Sequence, residues 1–269
     1  MRTIQLKILT RFTTLCVLVL TITGCNGINS VRTEAINIRP EVITPNFQSK
    51  LKVMTFNIAR KTNNDKIIAV IKSADPDVAG LQEVNIGQAE HIAKALNMNY
   101  TYSTHNSPSN GSLWGNAVLS KFKILESQKI AIGGFSRNRS MVSAIALVND
   151  QPIAFISIHT DHRLTGNSSL KKILNYTNSI EFPAVLIGDF NMLPSSLQCR
   201  FLLEGTGFID SAGNAYPGEL ATWPATGVRI DYVFVQSKYF KALGASLVAR
   251  EFHHVSDHIA YYTTIEWKS

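Results

Sequence analysis

Ala184-Val185-Leu186-Ile187 runs without a polar residue into Gly188-Asp189-Phe190-Asn191. A short apolar run with no alternation has no solvent face. It predicts a strand covered on both sides, as in the interior of a layered domain. Gly188 lets the backbone bend there or be approached closely. Asp189 and Asn191 stand two apart, so in extended chain they point to the same side. A carboxylate and an amide at the end of a buried strand can grip a metal, a water or a phosphate oxygen. Pro194 closes the loop, and Ser195 is the expected cap of a helix through Leu197, Phe201 and Leu202.

The same logic extends along the chain. Strands are expected over 51–58, 78–84, 100–103, 115–120, 141–148, 153–159, 229–235 and 240–248. Short strand ends are expected near 208–211, and a last strand opens at Ser256-Asp257-His258. Tyr261, Thr263, Ile265 and Trp267 alternate along one face of that last strand. Asn149-Asp150 is good turn chemistry, so 141–148 and 153–159 form a hairpin. Helical spacing marks a segment capped at Asn63 or Asn64 and carrying Ile67, Ile68, Ile71 and Ala74. It also marks 87–96 and 168–179. Helices interrupting strands in both halves argue for one α/β or α+β domain of two packed sheets with helices outside.

The N-terminus carries a different signal. Arg2, Lys7 and Arg11 precede an apolar run over 12–22 that is too short for a comfortable membrane span. A positive flank before such a run reads as a secretory leader. Its end, Ile22-Thr23-Gly24-Cys25, resembles the lipobox of bacterial lipoproteins. That resemblance implies cleavage before Cys25 and lipid on its sulfur. Asn26, in place of Asp, would suggest the outer membrane in a Gram-negative cell. The expected organisation is a leader over 1–24, a lipidated tether over 25–48 and a catalytic domain over 49–269. Cys16 would leave with the leader and Cys25 would carry lipid. Cys199 then remains without a disulfide partner, as a buried small hydrophobe.

The 269-residue chain has 26 basic and 19 acidic residues, a formal charge of +7. Without the leader the balance is 23 to 19, or +4. That suits a phosphate-bearing substrate and is no nucleic-acid signature in itself.

Polar residues stand at or beside apolar runs at Asn57, Glu83, His159, Asp189, Asn191, Asp231, Asp257 and His258. Glu83 with Asp257 or Asp189 offers hard oxygen ligands suited to Mg²⁺ or Mn²⁺. Zinc would want more His or Cys at close spacing, and His253-His254 reads as a polar loop. His258 beside Asp257 is a base or a phosphate contact, and His159 a donor to phosphate oxygen. Asn57 and Asn191 can orient water or an oxyanion without titrating.

Thr55-Phe56-Asn57, Leu81-Gln82-Glu83-Val84, Ile158-His159-Thr160-Asp161, Gly188-Asp189-Phe190-Asn191, Arg229-Ile230-Asp231-Tyr232 and Ser256-Asp257-His258 occur in this order. Together they resemble the endonuclease/exonuclease/phosphatase superfamily, as does Gly115-Asn116-Ala117-Val118-Leu119-Ser120. The resemblance spans about 50–268. It implies a four-layer α/β sandwich and divalent-metal-dependent hydrolysis of a phosphoester. Glu83 would be the main metal ligand, with Asn57 and Asp257 completing the site around Mg²⁺ or Mn²⁺. Asp189 would orient or deprotonate the attacking water, and Asn191 would help hold it or the phosphate. His258 would contact the scissile phosphate with Asp231 behind it, and His159 would be a second phosphate donor. Thr160, Asn85, Ile259 and the 168–172 segment depart from the pattern seen in many relatives, and none removes a catalytic group.

The substrate is less constrained. Trp114, Trp223, Phe135, Arg137 and Arg139 lie in or near loops and could line a site. The readings weighed are a phosphodiesterase, nuclease-like or otherwise; a phospholipase C or phosphomonoesterase on the same site; and a non-catalytic surface-binding module. Nucleic acid, nucleotides, phospholipid head groups and sugar phosphates are all compatible partners. A monomer anchored by lipid outside the cytoplasm is expected.

Overall fold

The computed structural model describes residues 30–38, 49–105, 113–134, 139–162, 167–213 and 219–268. Strands β1 (Ser30–Arg32), β2 (Ala35–Ile36) and β3 (Lys50–Asn57) come first. They are followed by α1 (Asn64–Ala74), β4 (Val78–Val84), α2 (Ile86–Leu96), β5 (Asn99–Thr104), β6 (Gly115–Ser120), β7 (Ile124–Ala131) and β8 (Ser140–Val148). The chain continues through β9 (Gln151–His159), α3 (Ser168–Ser179), β10 (Ala184–Asp189), α4 (Leu197–Leu203) and β11 (Phe208–Asp210). It ends with β12 (Asp231–Gln236), β13 (Phe240–Leu247) and β14 (Tyr261–Trp267).

These strands form two seven-stranded sheets. One is ordered β1-β7-β8-β9-β10-β12-β11 and the other β13-β14-β3-β4-β6-β5-β2. Each holds one parallel pair with a helix crossing over it: β9 and β10 through α3, and β3 and β4 through α1. The remaining neighbours are antiparallel, so both sheets are mixed.

Side-chain alternation explains the layering. Val53, Val185 and Ile187 face the core between the sheets, with Val142, Phe155, Val233 and Ile265. Met54 and Phe56 face the opposite way and pack on Ile67 and Ile71 of α1 and Ile92 of α2. Ala184 and Leu186 likewise meet Ile173 of α3 and Leu202 of α4. The apolar run of β10 is therefore buried on both faces, and the four-layer α/β sandwich follows. Among the described residues no helix is long and apolar enough to cross a membrane.

Two features bind the sheets beneath the strand ends. An added Cβ at Gly80 would lie 2.7 Å from Ile187 Cγ2, so the sheets approach closely there. A buried polar bridge also crosses between them. Thr55 Oγ1 donates to Gln82 Oε1 at 3.1 Å, and Gln82 Nε2 donates to Ser157 Oγ at 3.1 Å.

Several sequence expectations need correction. The last strand begins at Tyr261; residues 256–258 form a loop, and Ser256 Oγ donates to Asn57 O at 2.8 Å. Helix α4 is capped by Ser196, whose Oγ accepts from Cys199 N at 3.1 Å; the Ser195 expected there lies in the preceding turn. Strand β12 starts at Asp231, because Arg229 turns aside to pair with Asp210. Strand β7 was not expected at all. Part of the segment read as a tether, 30–36, adds an edge strand to each sheet. The leader, Cys25, Phe135 and Arg137 lie outside the described residues.

Candidate active site

The candidate residues gather because strand ends finish level. Asp189 is paired with His159 on one side and with Asp231 on the other. In the facing sheet Asn57 is paired with Gln82, one residue before Glu83. Parallel strands expose their carboxyl ends along one edge, where crevices form in open α/β sheets. Here the crevice is a cleft of about 480 Å³, bordered by Asn57, Glu83, His159, Asp189, Asn191, Asp257 and His258.

Gly188 makes the central strand possible. It has φ +157°, and an added Cβ would stand 1.9 Å from Ile158 O. Beyond it, Asn191 turns left-handed with φ +48°. Its N–H donates to Asp189 Oδ1 at 2.9 Å, and its Nδ2 donates to Thr160 O at 3.1 Å. The pair expected to share one side of a strand thus ends in a turn that closes on the carboxylate.

Asp189 is the hub. Its Oδ2 accepts from Asn57 Nδ2 at 3.0 Å, and lies 3.3 Å from His159 Nε2 and 3.7 Å from His258 Nε2. Burial pushes its pKa well above the ordinary carboxylate range, and the nearby charge of Asp231 adds to this. His258, Asn57 and the Asn191 N–H oppose the shift. A carboxylate so placed is a better proton acceptor than one in water.

His258 Nδ1 lies 2.8 Å from Asp231 Oδ2. Burial alone would favour the neutral ring, but the charge and hydrogen bond of Asp231, with Asp189 and Asp257, outweigh it. The result is a pKa raised from 6.5 to about 9, so the ring is an imidazolium at neutral pH. Asp231 is itself fixed: Thr222 Oγ1 accepts from its backbone N–H at 3.1 Å. Trp223 meets the His258 ring edge-on, with centroids 4.7 Å apart.

His159 is held differently. Arg139, buried beneath it, places Nη1 3.2 Å from His159 Nδ1. Arginine only donates, so Nδ1 is the acceptor and Nε2 carries the ring hydrogen, aimed at Asp189. Of the loop residues named from sequence, Arg139 and Trp223 border the cleft. Trp114 instead supports Arg60, which sequence reasoning missed. Arg60 follows no periodic pattern, and its signal is a tertiary ion pair: Nε lies 2.9 Å from Glu83 Oε2.

Glu83 sits at a β-bulge between β4 and β6 with φ +54°, which turns its carboxylate out of the sheet. Its Oε1 lies 4.0 Å from His159 Nδ1. Asp257 is exposed at the rim of the cleft. The expected metal ligands therefore share one cleft and offer only oxygen. This fits a hard divalent cation better than zinc, which favours nitrogen and sulfur ligands. Asn57 is the constrained member. Its Oδ1 already accepts from Ala59 N at 2.9 Å, leaving one lone pair. A second grouping, Asp189, Asp231 and His258, offers one ligand atom from each residue, the three within 4.8 Å of one another, and could also hold a cation. The imidazolium of His258 weighs against that use.

Comparison with known proteins bears on the family and the fold. The profile described as the Endonuclease/Exonuclease/phosphatase family matches residues 54–258. A solved endonuclease/exonuclease/phosphatase from Beutenbergia cavernae is similar with TM-score 0.67 and 20% identity, covering 82% of this chain and 72% of that one. D. rerio TDP2, complexed with single strand DNA product, gives 0.67 and 17%, covering 81% and 100%. The human Nocturnin catalytic domain, with bound sulfate anion, gives 0.65 and 18%, covering 88% and 97%. At these identities the solved structures bear on the fold alone. No curated protein matches the sequence.

Proposed function

The chain belongs to the endonuclease/exonuclease/phosphatase family, and from that premise we propose that it is a divalent-metal-dependent phosphodiesterase anchored by lipid outside the cytoplasm. Members of the family are phosphoester hydrolases that use divalent metals. The observation that carries the reading is the level ending of β9, β10 and β12. It sets Asp189 between His159 and the Asp231–His258 pair at the floor of one cleft.

The residues divide the work. Asp189 takes the proton of a water as its oxygen bonds to phosphorus and the ester P–O bond breaks. Asn191 holds the Asp189 carboxylate through its backbone N–H, leaving Oδ2 for the cleft. His258, kept protonated by Asp231, presents a charged N–H to a non-bridging phosphate oxygen. His159 sets its one N–H, at Nε2, beside Asp189 Oδ2, where an incoming phosphate oxygen would compete for it. Glu83, Asn57 and Asp257 would hold a Mg²⁺ or Mn²⁺ ion, which supplies Lewis-acid neutralisation of the phosphate charge when bound.

One comparison supports nucleic acid as the substrate: TDP2 is solved with a single strand DNA product. The lipobox-like Ile22-Thr23-Gly24-Cys25 supports the anchor. Purified full-length protein in detergent should hydrolyse bis-p-nitrophenyl phosphate and single-stranded DNA or RNA with Mg²⁺ or Mn²⁺, and lose that activity with EDTA. Cleavage of sphingomyelin in place of DNA and RNA would overturn the nucleic-acid substrate, and cleavage of inositol phosphates in place of the diesters would overturn the phosphodiesterase assignment. Folded protein inert on every substrate would overturn the enzyme. Cys25→Ser protein remaining in the membrane fraction would overturn the anchor.

A further inference from the structure

Arg60 and Glu83 face each other at the mouth of the cleft, and both lie in the left-handed region, with φ +58° and +54°. Ala59, just before Arg60, is left-handed too, at φ +51°. Non-glycine residues hold such angles only where their surroundings over-determine them. The turn at Arg60 is closed by Ala59 N on Asn57 Oδ1 and by Lys61 N on Ile58 O, both at 2.9 Å. The bulge in β4 holds Glu83. Two independently built turns therefore aim a guanidinium at a carboxylate, with Nε 2.9 Å from Oε2. The guanidinium also lies over Trp114, its carbon 5.4 Å from the ring centre.

We propose that Arg60 competes with the divalent cation for Glu83. The free protein then binds metal weakly, and a phosphodiester that draws Arg60 away strengthens metal binding. The inference rests on Glu83 being a metal ligand. A carboxylate shared with a guanidinium attracts a second cation less, and the two cations repel each other. For a pair a few ångströms apart near a protein surface, this lowers metal affinity on the order of tenfold. Phosphate is a natural replacement partner, because the planar fork of arginine fits phosphate as well as carboxylate. The Arg60 side chain is 35% exposed, so it has room to turn toward a ligand, and Trp114 can steady it there through its ring face. Linkage is reciprocal, so metal should tighten diester binding by the same factor.

The test is a titration of EDTA-stripped full-length protein with Mn²⁺, following free Mn²⁺ by electron paramagnetic resonance. Arg60→Met, which removes the charge and keeps an unbranched aliphatic side chain, should bind Mn²⁺ about tenfold more tightly than wild type. Arg60→Lys, which keeps the charge, should lie between the two. Dimethyl phosphate should tighten Mn²⁺ binding more in wild type than in Arg60→Met. Unchanged or weaker Mn²⁺ binding in Arg60→Met, or equal tightening by the diester in both proteins, would overturn the competition. Glu83→Gln separates this from the underlying reading. If it binds Mn²⁺ as tightly as wild type, the metal assignment itself has failed. If it loses binding while Arg60→Met is unchanged, only the competition has failed.

Discussion

The two sides of the cleft are built to different standards. On the Asp231–His258 side both side chains are buried, His258 Nδ1 lies 2.8 Å from Asp231 Oδ2, and Asp231 opens a regular strand while His258 stands in a loop. On the Glu83 side the carboxylate is 18% exposed, stands on a bulge and is paired with a partly exposed arginine. The first side has its charges set before any ligand arrives, which is the condition for electrostatic stabilisation without reorganisation. The second can exchange one cation for another. Under the proposed function, phosphate recognition is preorganised here while metal loading is adjustable.

The severest way to break this contrast is to remove the group the two sides share. Asp189 reaches Asn57 on the Glu83 side and lies between both histidines. Asp189→Ala should lower turnover by about 10³-fold or more, measured at saturating diester, because no other carboxylate is placed to take the proton of the water. Near-normal turnover in a folded Asp189→Ala protein would remove the basis for the contrast. Glu83→Gln comes next, with a loss of about 10²-fold. Because the defect lies on the adjustable side, excess Mn²⁺ should restore part of the rate. Excess Mn²⁺ should restore none in Asp189→Ala.

Much of this was legible in the chain. The unbroken run Ala184–Ile187 foretold a strand covered on both faces, and Asn149-Asp150 foretold a tight hairpin. Both turn residues have positive φ, +48° and +62°, and Val148 pairs with Gln151 directly across them. What stayed hidden had physical reasons. In β7 a bulge between Ile124 and Glu126 spaces Ile124 and Ser127 three apart on the face toward the other sheet, and Ile130 is buried on the opposite face, so no two-residue alternation shows. Strands β1 and β2 are three and two residues long, too short to show a period, and join their sheets through backbone pairing. Every candidate catalytic position was visible as a polar residue beside an apolar run. Arg60 and the burial of Arg139 were not, since each is defined by a partner far away in sequence. Neither was the bulge that turns Glu83 outward.

A smaller effect tests whether the preorganised side owes its charge to Asp231. Folding raises the His258 pKa from 6.5 to about 9, so the proton is bound more tightly in the folded protein. The stabilisation that comes with it is complete below about 6.5 and is lost as pH rises through about 9. Activity that needs the imidazolium should fall over the same alkaline limb. Asp231→Asn removes the two largest raising influences, so that limb should move down toward neutrality, with the rate at pH 8 reduced by tens-fold. The acidic limb reports Asp189. Its raised pKa means the carboxylate is protonated, and activity lost, at a higher pH than for an ordinary aspartate. If the alkaline limb stays in place in Asp231→Asn, His258 is not the group that titrates there.

The finest test concerns Trp223, which belongs to the preorganised side by contact alone. It donates no hydrogen bond to the catalytic groups and meets the His258 ring edge-on at 4.7 Å. Its position is nonetheless built, since Trp223 and Val228 close a short bridge and Thr222, one residue earlier, fixes Asp231. An edge contact of this kind contributes about 1 kcal/mol. Trp223→Leu should therefore lower kcat/KM roughly fivefold, with the alkaline limb unmoved and Mn²⁺ affinity unchanged. Trp223→Phe, which keeps an aromatic edge, should recover most of the loss. A shift of the pH profile in Trp223→Leu would mean that the ring shields the Asp231–His258 pair from water. A change in Mn²⁺ affinity would mean that the two sides are coupled through the cleft, and that the preorganised side does not stand apart from the adjustable one.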